Sequence, residues 1–516
     1  MSSPSQVDPL HWIAAVIQDS PDRVLLQTPV GQQFSYRQFD ELAGRLAAGL
    51  ANHGVESGDR VAAQIEKSPH AIALYLACLK IGAIFVPLNT AYTLAELEYF
   101  LGDAQPQVVV VQPHLSDVIG ALNATARITT LGTNGDGSLM EQAAQCDPTA
   151  YQPFDADPAH LAALLYTSGT TGRSKGAMLS RRNLASNAAT LVRAWRFSAE
   201  DVLLHALPIF HVHGLFVAIN TVLASGSSMM FLPRFDADEV VRLLPRCTVM
   251  MGVPTFYTRL LQHSGLNHEA SRNVRLFISG SAPLLTQTHR EFRERTGHSI
   301  LERYGMSETL MNTSNPYEGE RVAGSVGPPL PGIEVRIADP ESGAVLPADT
   351  VGMIEVRGPN VFSGYWRLPE RTAAEFRPDG FFVTGDLGRI DADGYVHIVG
   401  RGKDLVITGG YNVYPVEVET EIDALPGVIE SAVIGVPHPD FGECVVAIVV
   451  RSETSGIDEP AIRTALRERL ANFKLPKQVI FTAALPRNTM GKVQKNVLRD
   501  LHRELFAAAS PTGGRD

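Results

Sequence analysis

The residues of this chain whose types and spacing could do chemistry fall in short patches between apolar runs. The first patch spans Tyr166 to Gly176. Thr167 to Gly176 holds three glycines, three threonines, two serines, an arginine and a lysine, set between the apolar runs 161–165 and 177–179. Such a stretch has little to bury. It offers backbone N–H groups, hydroxyls and an ammonium, the donors a polyphosphate needs. The spacing is not that of G-x-x-x-x-G-K-[ST]: only two residues separate Gly169 from Gly172, and Gly176 follows Lys175 where a hydroxyl would bind metal. No G-x-G-x-x-G follows a strand-like run, so a Rossmann dinucleotide site has no support. Further along stand a carboxylate in Tyr304-Gly-Met-Ser-Glu308, a second in Thr384-Gly-Asp386, paired glycines in 407–415, and Lys492 beside a glycine in 486–495. Each alone reads as a turn or a solvated charge. Thr-Gly-Asp in particular reads as a tight Asp turn.

The elements that must carry these patches alternate in type. Residues 39–53 place Leu42, Leu46 and Leu50 at helical spacing. The strand-like segments 60–65 and 84–88 bracket a helix-like run over 71–81, and 108–112 is a β-branched strand with both faces apolar. Segments 246–253, 274–281 and 299–302 are further strands. This alternation predicts layered α/β subdomains with largely parallel sheets. From about Gly352, short strands (353–357 and 395–399) split by Gly/Asp turns predict a small β-rich subdomain. After 401–403 the α/β pattern restarts, with helices over 416–422 and 460–470 and a strand over 428–436. The expected organisation is a large N-terminal domain (1–400), a hinge (401–403) and a small mobile α+β C-terminal domain (404–516), whose last ten or so residues are small and polar.

With 516 residues the chain is too long for one core. A formal net charge of −11 argues against a nucleic-acid backbone as partner. Cys78, Cys146, Cys247 and Cys444 are scattered and read as small apolar residues of a reducing compartment. Neither a membrane span nor a signal or transit segment is legible, so a cytoplasmic protein is expected. His205, His211 and His213 are spaced like metal ligands, but no cysteine or carboxylate lies beside them in sequence, which makes a zinc site a poor reading.

Taken in order, the patches resemble the motifs of the adenylate-forming superfamily: acyl-CoA synthetases, luciferases and the adenylation domains of peptide synthetases. Ser174 stands where that superfamily more often has proline. The resemblance implies that Thr167, Ser168, Gly169, Thr170, Thr171, Gly172 and Lys175 grip ATP phosphates. It implies that Glu308, with Thr167, ligates Mg²⁺, a hard cation that prefers carboxylate oxygen. Tyr304 would lie against adenine, with Gly305, Met306 and Ser307 also binding ATP or AMP; Asp386 would accept from both ribose hydroxyls, and Arg401 would contact ribose and phosphate. Lys492 would be the C-terminal catalytic lysine, stabilising charge as a carboxylate attacks the α-phosphate. Lys403 would mark the hinge, and Gly409 and Gly410 would face a pantetheine tunnel once the small domain has rotated.

Segments 302–314 and 279–284 are similar to those of the malonyl-CoA synthetase family. A diacid leaves one carboxylate unreacted, and burying that charge requires a cation, preferably bidentate. Arg303 and Arg234 are the candidates, with His211, Ser279 and Gly280 lining the acyl pocket. The implied activity is ATP-dependent ligation of malonate, or methylmalonate, to coenzyme A, with ATP, Mg²⁺ and CoA required and with neither nucleic acid nor membrane as partner. The alternatives are a synthetase for medium-chain or aromatic monocarboxylic acids, and a stand-alone adenylation enzyme loading a separate carrier protein. Acetylation of Lys492 would remove its charge, which makes an acetyltransferase and a deacetylase candidate partners.

Overall fold

Local signals and burial agree along the first layers. Ser35 and Gln38 close a capping box at the start of the helix Tyr36–Asn52, an arrangement that satisfies N–H groups otherwise left without partners. Phe39, Ala43, Leu46, Ala47 and Leu50 form its buried face. That face packs on the helix Pro69–Ile81, which is apolar all round and buried along its whole length. The computed structural model describes residues 8–122, 125–149, 157–167, 174–409, 411–439, 441–452, 454–488 and 491–506. Ser168, Gly169, Thr170, Thr171, Gly172, Gly410 and the tail 507–516 lie outside the described residues.

Two sheets dominate the N-terminal part. One runs in the order Arg127–Thr130, Val108–Val111, Arg60–Gln64, Ile84–Pro87, Leu161–Thr167, Lys175–Ser180. The other places Leu310–Ser314 and Leu301–Met306 at one edge, followed by Leu276–Ser279, Val249–Gly252, Val202–His205, Ser228–Phe231, Val24–Gln27 and Gln33–Ser35. Their interiors are parallel, as the βα alternation predicts, and so is the Arg127–Thr130 edge, but the other three edges are antiparallel. Those antiparallel edges carry functional patches. Thr167 pairs with Lys175 across one of them, and Glu308 lies in the turn between the Leu301–Met306 and Leu310–Ser314 strands of another.

A four-stranded antiparallel sheet follows, in the order Glu334–Ala338, Gly352–Arg357, Phe382–Ile390, Val396–Arg401. The β-rich region therefore starts earlier than the turn pattern after Gly352 suggests. Two further expectations change. Tyr304 to Met306 lies inside a strand, not beyond it. Thr384-Gly-Asp386 also lies inside a strand, Phe382–Ile390, rather than on a tight turn. The reason is a period of two: Phe382, Thr384 and Asp386 are buried while Val383 and Gly385 between them are less so.

Beyond Arg401 a short turn, Gly402–Asp404, leads into a third mixed sheet built from Tyr411–Val413, Val406–Thr408, Gly442–Arg451, Val428–His438 and Gln478–Thr482. The helices Pro415–Asp423, Glu459–Arg467 and Lys495–His502 accompany it. Core residues divide at the same place: one large cluster ends at Val396, and separate clusters begin at Val406. Cys78, Cys247 and Cys444 are buried and Cys146 is partly so. No described helix is long and apolar enough to cross a membrane.

Candidate active site

At the phosphate end, the hairpin register brings Thr167 and Lys175 to one mouth, with residues 168–173 connecting them. The Ser174 carbonyl accepts from the Tyr99 hydroxyl at 2.8 Å, which anchors the loop's exit where proline is absent. Thr167 Oγ1 donates to Glu308 Oε1 at 3.3 Å. Lys175 Nζ pairs with Glu375 Oε1 at 3.0 Å and lies 4.2 Å from the centre of the Tyr365 ring. The Tyr365 hydroxyl reaches both Glu375 Oε2, at 2.7 Å, and Glu308 Oε1, at 3.2 Å. Burial pushes the Glu308 carboxyl up, against the pull of its backbone hydrogen bond, Arg401, Tyr365 and Thr167. A buried carboxylate beside a hydroxyl is a hard-oxygen donor pair of the kind Mg²⁺ takes.

The nucleoside end is built by cross-strand register. Asp386 and Arg401 face each other on the antiparallel strands Phe382–Ile390 and Val396–Arg401, so their side chains meet as a sheet pair. Arg401 Nε donates to Asp386 Oδ1 at 2.8 Å, and the Tyr304 hydroxyl donates to Asp386 Oδ2 at 2.5 Å. Each carboxylate oxygen keeps a further lone pair free for a sugar hydroxyl. Gly305, Met306 and Ser307 are half-buried along the same strand and turn.

Lys492 reaches this site from the C-terminal sheet side. Asn488 fixes its backbone, accepting from Lys492 N through Oδ1 at 2.9 Å and donating from its own N to the Lys492 carbonyl at 2.9 Å. The preceding Gly491 sits against the N-terminal part: a Cβ there would lie 3.1 Å from Thr255 Oγ1. Burial, then Arg401 and more weakly Arg303, pull the Lys492 ammonium down to about 8, while Asp386 and Glu308 hold it up. Lys492 therefore lies within electrostatic range of all four groups.

Next to them is the cluster expected to line the acyl pocket. Arg303 is 3% exposed, and its Nε and Nη2 have no hydrogen-bond partner among the described residues. Burial pulls it down to about 9, so it remains a cation at neutral pH. Its guanidinium lies against Gly280, where a Cβ would stand 2.4 Å from Cζ; only glycine admits it. Ser279 Oγ and His213 Nε2 are likewise buried without partners. Burial, Lys492 and Arg303 pull His211 down to about 3, which keeps it neutral. Its Nδ1 accepts the His213 backbone N–H at 3.4 Å, leaving the proton on Nε2. His205 has both ring nitrogens engaged, Nδ1 with Lys67 Nζ at 2.9 Å and Nε2 with the Gly214 carbonyl at 2.8 Å, so it is not a metal ligand.

Arg234 does not share this pocket. It is exposed beyond the strand Ser228–Phe231, and the expected pairing with Arg303 gives way to one buried arginine alone. Lys403, on the Gly402–Asp404 turn, and Gly409, beside the Tyr411–Val413 strand, are also exposed, and Lys403 lies within electrostatic range of Arg401 and Asp386. Tyr365 and Glu375 escaped sequence reasoning. Nothing local in the sequence ties Tyr365 to a distant carboxylate, and Glu375 follows the charged helix Pro369–Ala374, where it reads as a surface charge.

Comparison with known proteins adds an independent line. Residues 13–366 match the family described as AMP-binding enzyme, and residues 417–492 match the AMP-binding enzyme C-terminal domain. The crystal structure of ATP-bound MatB from Rhodopseudomonas palustris is 58% identical, with a TM-score of 0.94 over 97% of this chain and 100% of that one. Its apo form, over the same coverage and at the same identity, gives 0.83. A malonate–CoA ligase from Arabidopsis thaliana is 33% identical, covering 93% of this chain and 86% of the plant protein. A feruloyl-CoA synthase from Amycolatopsis sp is 36% identical, over 91% of this chain and 94% of its own length.

Proposed function

The chain belongs to the AMP-binding enzyme family, and from that premise we propose that it is an AMP-forming ligase that joins malonate to coenzyme A. In the first half-reaction a malonate oxygen attacks the α-phosphorus of ATP, the bond to pyrophosphate breaks, and malonyl-AMP forms. In the second the CoA sulfur attacks the acyl carbon, AMP leaves with the electron pair of the C–O bond, and the thiol proton is released.

The single observation that carries the choice of acid is the buried guanidinium of Arg303, with Nε and Nη2 unpaired among the described residues. An uncompensated charge in such a place costs several kcal/mol, on the order of 3–5, unless a ligand supplies the counter-charge. The free carboxylate of a diacid does so, and Ser279 and His213 offer further donors beside it. A monocarboxylic acid would leave all of these groups unpaired. Two relatives named as malonate–CoA ligases favour the same reading. Methylmalonate differs by one methyl, worth about 1–3 kcal/mol in a pocket, and is kept as a second substrate.

The roles follow from position. Lys492 holds an ammonium where negative charge builds on the attacked phosphorus. Asp386, oriented by Arg401 and Tyr304, takes the ribose hydroxyls. Lys175 and Thr167, with 168–172 between them, take the phosphates. Glu308 and Thr167 would hold Mg²⁺, which neutralises phosphate charge during transfer. His211, neutral and beside both cations, lines the path between acid and phosphate. Lys403 and Gly409 meet CoA only after the small domain turns about 401–403. We place the enzyme in the cytoplasm, with small-molecule substrates rather than nucleic acid or membrane as partners, and Lys492 as the group whose acetylation would stop adenylation. ATP–pyrophosphate exchange in the presence of malonate tests the reading; absence of malonate-dependent exchange removes the substrate.

A further inference from the structure

Lys175 is the one ammonium of the phosphate loop, yet in the structure it is already neutralised from within. Glu375 Oε1 pairs with it at 3.0 Å, and the pair is well shielded, with 13% and 16% of the two side chains exposed. The same oxygen accepts from Arg371 at 2.6 Å, and the other oxygen accepts the Tyr365 hydroxyl at 2.7 Å. The Tyr365 ring lies beneath the Lys175 ammonium at 4.2 Å. Glu375 is therefore fixed by two neighbours while it holds a third, the geometry of a preorganised acceptor rather than of a swinging surface charge.

We propose that Glu375 is an internal stand-in for a phosphate oxygen: it holds the Lys175 ammonium and competes with the triphosphate and pyrophosphate for it, thereby weakening phosphate binding and easing pyrophosphate release. This rests on the reading of Lys175 as a phosphate-binding group. Three features support competition over simple support. The carboxylate carries the same charge as the ligand it would adjoin, so it repels an incoming phosphate while occupying its cation. Its burial reduces screening of that repulsion. And the Tyr365 hydroxyl has a single proton to share between Glu375 and Glu308, at 2.7 and 3.2 Å. When Lys175 leaves Glu375, the more negative carboxylate draws that proton closer, and Glu308 gives up a hydrogen bond at the moment its oxygen is wanted elsewhere. Glu375 is thus a positioning residue, acting through Lys175 and Tyr365.

The test uses the full chain with Glu375→Gln, which keeps shape and an acceptor for Tyr365 while removing the charge. Calorimetric titration of pyrophosphate with Mg²⁺, with Lys175→Met and the double variant alongside, reads binding without turnover. Glu375→Gln is expected to lower the pyrophosphate Kd about tenfold, the scale of one shielded charge-assisted bond, and to strengthen product inhibition by pyrophosphate by a similar factor. In the Lys175→Met background the gain should vanish. An unchanged or raised Kd in Glu375→Gln, with Lys175→Met weakening binding as expected, overturns the competition and leaves the role of Lys175 intact. A Lys175→Met variant that binds pyrophosphate normally removes both. Retention of the gain in the double variant also overturns the proposal, since the effect would then bypass Lys175. Melting temperature is followed for all three, so that a misfolded variant is replaced by Glu375→Ala and scored by the same criteria.

Discussion

Replacing Arg303 by methionine should move activity and stability in opposite directions. The side chain is buried at 3% exposure with two donors unpaired, and burial already pulls its guanidinium down to about 9. Without substrate this cation is a destabilising feature. Exchanging a poorly compensated buried charge for an apolar side chain of similar volume stabilises proteins by about 1–4 kcal/mol, so the melting temperature of the variant should rise. With malonate, the same guanidinium meets a carboxylate. Losing a buried charge pair of this kind costs about 3–5 kcal/mol, or roughly two to three and a half orders of magnitude in kcat/KM for malonate. Methionine leaves an apolar wall, so acetate or propionate, poor substrates of the parent, should change by less than tenfold. The assays are thermal unfolding of the ligand-free protein and malonate-dependent ATP–pyrophosphate exchange. A loss below tenfold for malonate, or a fall in melting temperature, would refute the reasoning: the first because no second carboxylate met Arg303, the second because the cation had a partner after all.

Other outcomes follow from the same geometry. Lys492→Ala should reduce malonate adenylation by about 10²–10³-fold, the scale of removing one preorganised electrostatic group, while thioester formation from supplied malonyl-AMP is largely retained; rapid-quench measurement of each half-reaction separates them. Because the Lys492 ammonium is pulled down to about 8 and must be protonated to act, kcat/KM for adenylation should be high below pH 8 and fall as pH rises through it, and this limb should vanish from the residual activity of Lys492→Ala. Gly280→Ala places a Cβ 2.4 Å from Cζ of Arg303, so malonate KM should rise at least tenfold while ATP KM stays within about twofold, as expected for a change confined to substrate positioning. Asp386→Asn should raise ATP KM by about tenfold, since a neutral amide replaces one charge-assisted acceptor of the sugar hydroxyls, with malonate KM little altered.

Much of the site is legible in the sequence because chemistry and local pattern coincide. Thr167 to Gly176, Glu308 and Lys492 are polar or charged residues in small-residue segments flanked by apolar strands, and such segments have no packing use for them. The helix over 71–81 and the strand over 108–112 were equally plain, since both are buried on every side and say so in composition. What the sequence hid depends on distant neighbours. Arg303 is legible as a cation, but its lack of a partner is decided by Gly280, His213 and Tyr257, all brought in by other elements. Arg234 has the same chemistry and a strand before it, yet it is exposed, which its local sequence does not reveal. Asp386 reads as a turn residue because Thr-Gly-Asp is turn-like, whereas pairing with Arg401 across two strands overrides that preference. Glu375 follows a charged helix, and nothing local separates it from a solvated glutamate.

The claim on which the rest depends is that a buried guanidinium, with Nε and Nη2 lacking a partner among the described residues, selects an acid with a second negative charge. A mixture of malonate, sulfoacetate, acetate, octanoate and ferulate at equal concentration, given limiting ATP and excess CoA and read by mass spectrometry of the thioesters, tests it most directly. The structure predicts malonyl-CoA as the dominant product, any other product carrying a free anionic group, and a shift toward monocarboxylate thioesters in Arg303→Met. Octanoyl- or feruloyl-CoA equal to or above malonyl-CoA from the unmodified protein would contradict it.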